Sequence, residues 1–285
     1  MKTLLINDDG IHAPGLLAAA GALQEVSDVV VIAPDREQSG VGGALTLRNP
    51  VRAREVSFDP GPSGNGTATG TITAYAVEGT PADCCVLALE KLSGPVDLVV
   101  SGINSGSNLG WDVMVSGTVG GAVQAFVRGY PTIAISVGSI RDPMFGPAAR
   151  LLTALVAKLK DWPRNRQLFL NVNVPSMALD RIKGIEVTRL GGRSYGESVR
   201  EEGIGAQKRY WINRDRPMAQ NPETGTDTWA AKNEHISITP LHIGLGNPDQ
   251  IPQIKDLLSG FAADLLDSQA STPADASPGS LLDPG

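Results

Sequence analysis

The run Met1-Lys2-Thr3-Leu4-Leu5-Ile6-Asn7-Asp8-Asp9-Gly10 decides the fold. Its first six residues suit a short buried strand, and adjacent carboxylates cannot continue inside one, so the strand stops where the acids begin. Gly10 permits a turn that other residues resist. Pro14 suits the first turn of a helix, and Gly15 to Leu23 supplies that helix. Val29-Val30-Val31-Ile32-Ala33 then reads as a second buried strand. Strand, helix and strand at this spacing form a parallel, right-handed βαβ unit. Asp8 and Asp9 therefore lie at the carboxyl end of the first strand, the edge where open α/β sheets place ligands. One acid there could simply cap the helix or stand solvated. Two in succession repel each other, and a bound cation is the simplest relief. Oxygen-only ligands point to a hard ion such as Mg²⁺ or Mn²⁺.

The same logic repeats downstream. Pro34 to Thr46 leaves the second strand on the edge that carries Asp8, and its glycines make it pliable. Ser39 is a neutral oxygen in that loop, and taken alone it is a turn residue. Residues 51–78 read as β-structure interrupted by a turn-rich tip at 59–67. Thr80, Pro81 and Asp83 form a helix start, with the apolar stripe running from Cys84 to Leu92. Asp97 to Asn104 is again an apolar strand that ends in polar oxygens, followed by a glycine-rich loop containing Asn108. Ser116-Gly117-Thr118 precedes a small, apolar helix, Val119 to Gly129, and such a helix start can either be an ordinary cap or bind an anion. Residues 132–137 and 168–174 read as further strands, and 148–162 as an amphipathic helix. Helices then become scarce, and 185–190, 208–212 and 236–239 look like antiparallel strands. Residues 250–267 read as a last amphipathic helix, and 268–285 as a disordered tail with little to bury.

Composition narrows the function. The 285 residues suffice for one large α/β domain or two small ones, and 41% hydrophobic with 19% charged residues describes an ordinary soluble protein. A net charge of −6 leaves no electrostatic footprint for duplex nucleic acid. No basic terminus precedes an apolar stretch, so neither a signal peptide nor a membrane span is expected. Cys84 and Cys85 are the only cysteines, and their adjacency suits buried free thiols in a reducing cytoplasm.

Other motifs fail on context. Gly192-Arg193-Ser194-Tyr195-Gly196 fits the nucleophile-elbow pattern, but an elbow needs a packed helix after it, and Glu197 to Glu202 is short and mostly charged. That reading would make Ser194 the nucleophile of a metal-independent esterase. The Gly40 to Gly43 run follows the wrong strand for a dinucleotide fingerprint, and His12, His235 and His242 have no metal-ligand spacing.

Four segments in order resemble the SurE survival-protein nucleotidases: Asn7 to Gly15, Ala33 to Gly40, Val100 to Gly110, and Ser116 to Val119. Smaller echoes are Gly79 to Asp83, Asn173-Val174-Pro175, Tyr210-Trp211-Ile212, Thr226-Asp227 and Thr239-Pro240-Leu241. The resemblance implies a Rossmann-like, three-layer α/β core with a mostly parallel sheet over about 1–180. It also implies an antiparallel β extension and C-terminal helix over about 181–267, within one domain. It implies one divalent cation per subunit, Mg²⁺ or Mn²⁺, on Asp8, Asp9, Ser39 and Asn104, with Asp8 and Asp9 catalytic. Asn108, Ser116, Gly117 and Thr118 would surround the substrate phosphate. The implied activity is hydrolysis of nucleoside monophosphates to nucleoside and phosphate, as a 5′-nucleotidase that can extend to 3′-nucleotides and polyphosphate. A cytoplasmic homodimer or homotetramer is expected. The competing reading on the same fold is a metal-dependent nucleotide-binding regulator without turnover.

Overall fold

A computed structural model describes residues 1–61, 72–163, 166–192, 196–203, 207–216 and 221–261. By contacts the chain divides into two compact units, Met1–His242 and Ile243–Gly285.

The first unit is built on a nine-stranded sheet. In chain order its elements are β1 (Lys2–Ile6), α1 (Pro14–Gln24), β2 (Asp28–Pro34), β3 (Ala53–Val56), β4 (Thr73–Val77) and α2 (Pro81–Leu87). There follow β5 (Leu98–Ser105), α3 (Gly117–Val127), β6 (Thr132–Val137), α4 (Phe145–Leu159), β7 (Phe169–Val174) and β8 (Ile185–Val187). The unit ends with β9 (Gly196–Glu202), β10 (Arg209–Arg216), α5 (Asp227–Lys232) and β11 (Ile236–Pro240). The sheet order is β3-β4-β2-β1-β5-β6-β7-β11-β8. From β4 through β7 every neighbouring pair is parallel. β3 closes one side antiparallel to β4, and β11 continues the other side antiparallel to β7.

Two apolar layers follow from the alternation of strand side chains. Leu5, Val31, Val100 and Ile133 point to the face covered by α1 and α4, where Leu16, Leu23, Leu152 and Val156 complete the core. Leu4, Ile6, Val30, Ile32 and Val99 point to the opposite face, where Cys84, Cys85 and Ala125 from α2 and α3 meet them. The three-layer α/β expectation is met. The chain starts at β1, moves outward to β2 and β4, and returns to β5 on β1's other side. The strand order therefore reverses at β1, where such sheets open a crevice at their carboxyl edge.

The antiparallel part differs from its sequence reading in two ways. β11 and β8 pair parallel to each other and extend the main sheet. Only β9 and β10 form a separate antiparallel ribbon, and β9 covers the short, mostly charged segment Glu197 to Glu202. A strand at Gly196–Glu202 removes the helix that a nucleophile elbow requires, while Ser194 itself lies outside the described residues. Residues 62–67 of the predicted turn-rich tip also lie outside them.

The second unit contains a 3-10 turn, Pro248–Gln250, and α6, Ile251–Leu257. The predicted helix over 250–267 is thus described for its first turns only, and the predicted tail lies outside the described residues. No helix among the described residues is long and apolar enough to cross a membrane.

Candidate metal and phosphate site

β1 ends at Ile6, and Asn7 makes the turn that releases the carboxylates. Its side chain donates to the Gly10 carbonyl at 2.9 Å and accepts from the Gly10 N–H at 3.3 Å. Asp8 is 4% exposed, which is deep burial for an acid. Burial lifts its pKa to about 7, the Thr118 hydroxyl opposes that rise, and the Asp9 charge adds to it. Asp9 is also raised, first by burial and then by the charge of Glu37, while the Ser105 N–H on its Oδ2 at 3.1 Å works the other way.

The remaining groups come from three other elements. The loop after β2 reaches the site through the Gln38 N–H, which donates to the Asp8 carbonyl at 2.7 Å. Ser39 follows it, exposed, with its hydroxyl donating to Glu37 Oε1 at 2.8 Å. Asn104 sits near the end of β5 with its amide nitrogen committed to the Gly106 carbonyl at 2.6 Å, so its carbonyl oxygen is what it can offer a cation. α3 begins against Asp8: a β-carbon at Gly117 would stand 2.8 Å from Asp8 Cβ, so only glycine lets the helix start this close. Gly120 serves the loop in the same way, because a β-carbon there would collide with the Gly42 carbonyl.

The helix start divides its duties. Ser116 is the N-cap, and its hydroxyl accepts from the Val119 N–H at 3.1 Å. The Thr118 hydroxyl donates to Asp8 Oδ1 at 2.5 Å. The backbone N–H groups of Gly117 and Thr118 have no acceptor among the described residues. Those two N–H groups, at the positive end of an 11-residue helix, are the groups at this helix start that can donate to an anion.

Asn108 is held from below. Asn173 Oδ1 accepts its N–H at 2.8 Å, and Asn171 and Asn173 both donate to its carbonyl, at 2.8 and 3.1 Å. Its side-chain amide donates to Ser136 Oγ at 2.9 Å. Both asparagines lie on β7, two residues apart and therefore on one face. The two-residue spacing within a buried strand was the available sequence signal for them. Asp83 and Glu37 were also missed as contributors. Asp83 accepts from the Thr46 N–H at 2.9 Å and its hydroxyl at 2.7 Å, and from the Thr80 N–H at 2.9 Å, which ties down the far end of the Ser39 loop. Burial pushes its carboxyl up, but those hydrogen bonds outweigh it and hold the pKa below its ordinary value.

Donor chemistry and charge test whether a divalent cation fits. Two neighbouring carboxylates, one deeply buried, lie just past the carboxyl end of β1, and among the described residues neither has an ion-pair partner. No three acidic, histidine or cysteine side chains gather to hold a metal among the described residues. A cation here would rest on two acids, with neutral oxygens and water completing its shell. Such an all-oxygen set fits a hard divalent ion.

Comparison with known proteins identifies the family. The family model for "Survival protein SurE" matches residues 3–197. A protein from Dehalococcoides mccartyi (strain CBDB1), named 5′-nucleotidase SurE, is 44% identical over 85% of this chain and 89% of its own. One of the same name from Carboxydothermus hydrogenoformans is 41% identical over 90% of this chain and 95% of its own. The crystal structure of SurE protein from Aquifex aeolicus superposes with a TM-score of 0.75 at 38% identity, covering 90% of this chain and 99% of that one. By the family-model match over most of its length and these identities, this chain belongs to the SurE family.

Proposed function

We propose that this protein is a divalent-metal-dependent 5′-nucleotidase, releasing nucleoside and phosphate from nucleoside monophosphates. The observation that carries this reading is the pairing of opposite binding capacities in one crevice. A carboxylate pair with no ion-pair partner among the described residues stands against two N–H groups at the start of α3 that have no acceptor there either. The first calls for a cation and the second for an anion, and a metal-bound phosphate ester satisfies both. The names of the relatives support the substrate class.

Asp8, Asp9, Ser39 and Asn104 would hold one Mg²⁺ or Mn²⁺ per subunit. When bound, that cation neutralises phosphoryl oxygens and acidifies a water molecule. The Gly117 and Thr118 N–H groups hold phosphate oxygens whose charge shifts during transfer, and Ser116 keeps that helix start rigid by capping it. Asn108 lines the same cradle on its β7 support. A carboxylate oxygen of Asp8 or Asp9 that is not spent on the cation orients the attacking water and takes its proton. Thr118 Oγ1 holds Asp8 in one orientation throughout. The exposed apolar side chains of the β9–β10 ribbon, Val199, Tyr210, Trp211 and Ile212, suit a homo-oligomer. The buried free thiols of Cys84 and Cys85 suit the cytoplasm.

The test is phosphate release from 5′- and 3′-monophosphates and polyphosphate, each with Mn²⁺, Mg²⁺ or chelator. Metal-dependent release from 5′-monophosphates is expected. Tight nucleotide binding without release would instead make the chain a nucleotide-binding regulator.

A further inference from the structure

One buried carboxylate outside this crevice holds part of it in place. Asp227 opens α5 and is 0% exposed. Its Oδ2 accepts the Gly110 N–H at 2.8 Å. Its Oδ1 accepts the Gly191 N–H at 2.7 Å and the Thr228 N–H at 2.8 Å. Such a group is too much for a helix cap alone, because two of its three donors come from distant segments.

Each of those segments leads somewhere. Gly110 lies two residues after Asn108 and begins the 3-10 turn Gly110–Met114. That turn runs directly into the start of α3, with the Ser116 N–H donating to the Asp112 carbonyl at 3.1 Å. Fixing the Gly110 N–H therefore fixes the stretch between Asn108 and the α3 amides. Gly191 and Gly192 lie just before the β9–β10 ribbon, which begins at Gly196. The two glycine segments also meet directly: the Trp111 N–H donates to the Gly192 carbonyl at 3.3 Å. Gly110 has φ +52°, and a β-carbon on it would collide with that same carbonyl. Asp227 is itself secured from the ribbon side, since its N–H donates to the Arg189 carbonyl at 3.0 Å.

We propose that Asp227 is a positioning residue for the phosphate cradle and couples that cradle to the root of the β9–β10 ribbon. The inference rests on the reading of Asn108 and the α3 amides as the cradle. A carboxylate is the group that can accept three N–H donors at once. An asparagine of the same shape would turn an NH₂ toward one of them. The cradle would remain present but loosely aimed, and misplacement of this kind slows the chemical step more than it weakens binding.

The experiment compares Asp227→Asn with Val156→Ala, a core truncation on α4 far from the crevice, each assayed well below its melting midpoint. Asp227→Asn is expected to lower kcat about tenfold or more, as loss of a charge-assisted hydrogen bond can. Its calorimetric Mn²⁺ affinity should stay within about twofold of the parent, as independent sites do. Hydrogen exchange should quicken at the Gly110 and Gly191 amides together. Val156→Ala should leave kcat within about twofold. Gly191→Ala disturbs the same contact from the ribbon side, where a β-carbon would collide with the Thr228 side chain and stand 3.1 Å from Asp227 Oδ1, and it should lower kcat in the same direction. It also serves if Asp227→Asn fails to fold. The inference is overturned if neither variant lowers kcat more than Val156→Ala does, or if Mn²⁺ affinity falls in step with kcat. Asn108→Ala tells the two readings apart. If it too retains the parental rate, the cradle assignment is wrong; if it is impaired while Asp227→Asn is not, only the role of Asp227 is.

Discussion

Asp8→Asn should stabilise the metal-free protein. Burial raises the Asp8 carboxyl from 3.8 to about 7. Below about pH 4 both the folded and the unfolded chain hold this proton. Between about pH 4 and 7 the folded state keeps a proton that the unfolded chain has released, so stability falls as pH rises and levels off above about 7. Roughly three pKa units at about 1.4 kcal/mol each place the accumulated loss on the order of 4 kcal/mol by pH 8. Asparagine avoids that loss and still accepts from Thr118. It also sets an NH₂ beside the start of α3, near the place of Asp8 Oδ2, which offsets part of the gain. At roughly 2–4 °C per kcal/mol for a chain of this size, the metal-free variant should melt roughly 5–15 °C above the parent at pH 8. At pH 4 that advantage should be gone, leaving the variant level with the parent or slightly below it. Added Mn²⁺ should raise the parent's midpoint and leave the variant's unchanged, because binding to the folded state alone is what raises it. Thermal melts with and without Mn²⁺ at the two pH values supply all four comparisons. A metal-free variant that melts below the parent at pH 8, or a full Mn²⁺ shift in the variant, would refute the view that Asp8 is a destabilising acid kept for a cation.

Four further outcomes are expected. Asp9→Asn, or chelator on the parent protein, should abolish phosphate release without unfolding the chain, with recovery only in the chelated parent when Mn²⁺ is restored; full activity in metal-stripped protein would contradict this. Thr118→Ala should weaken Mn²⁺ binding about tenfold or more by calorimetry, as loss of a group supporting a metal ligand does, while Thr118→Ser should restore it. Asn173→Ala leaves the Asn108 N–H without its acceptor and should lower kcat on a nucleoside monophosphate at saturating Mn²⁺, with little change in Mn²⁺ affinity. Light scattering at micromolar concentration should show an oligomer that Ile212→Lys on the exposed ribbon weakens; a monomeric parent would contradict the proposed assembly.

The short strand ending in Asp8-Asp9 was legible because its signals are local. An apolar run, two acids, a glycine and a proline constrain about fourteen consecutive residues. The βαβ handedness then placed those acids at a sheet edge without any distant contact. Ordered resemblance to one family named the other residues of the site. What each does with its hydrogen bonds depended on groups far away in the chain. The Thr118 hydroxyl reads as a phosphate donor until it is found on Asp8, 110 residues earlier, which leaves the Thr118 N–H for that role. Asn171 and Asn173 look like polar interruptions of a core strand until Asn108 is found above them. Asp227 stands in the sequence only as half of the Thr226-Asp227 echo, and only folding brings Gly110 and Gly191 to it. The antiparallel reading of residues 185–240 failed in part for the same reason: pairing of β8 with β11 is set across some fifty residues, by which edge remains open once β7 and β11 have joined. Periodicity and turn chemistry determine which segments form and where they stop. A buried polar atom takes whichever partner folding brings near it, and that choice belongs to the tertiary structure.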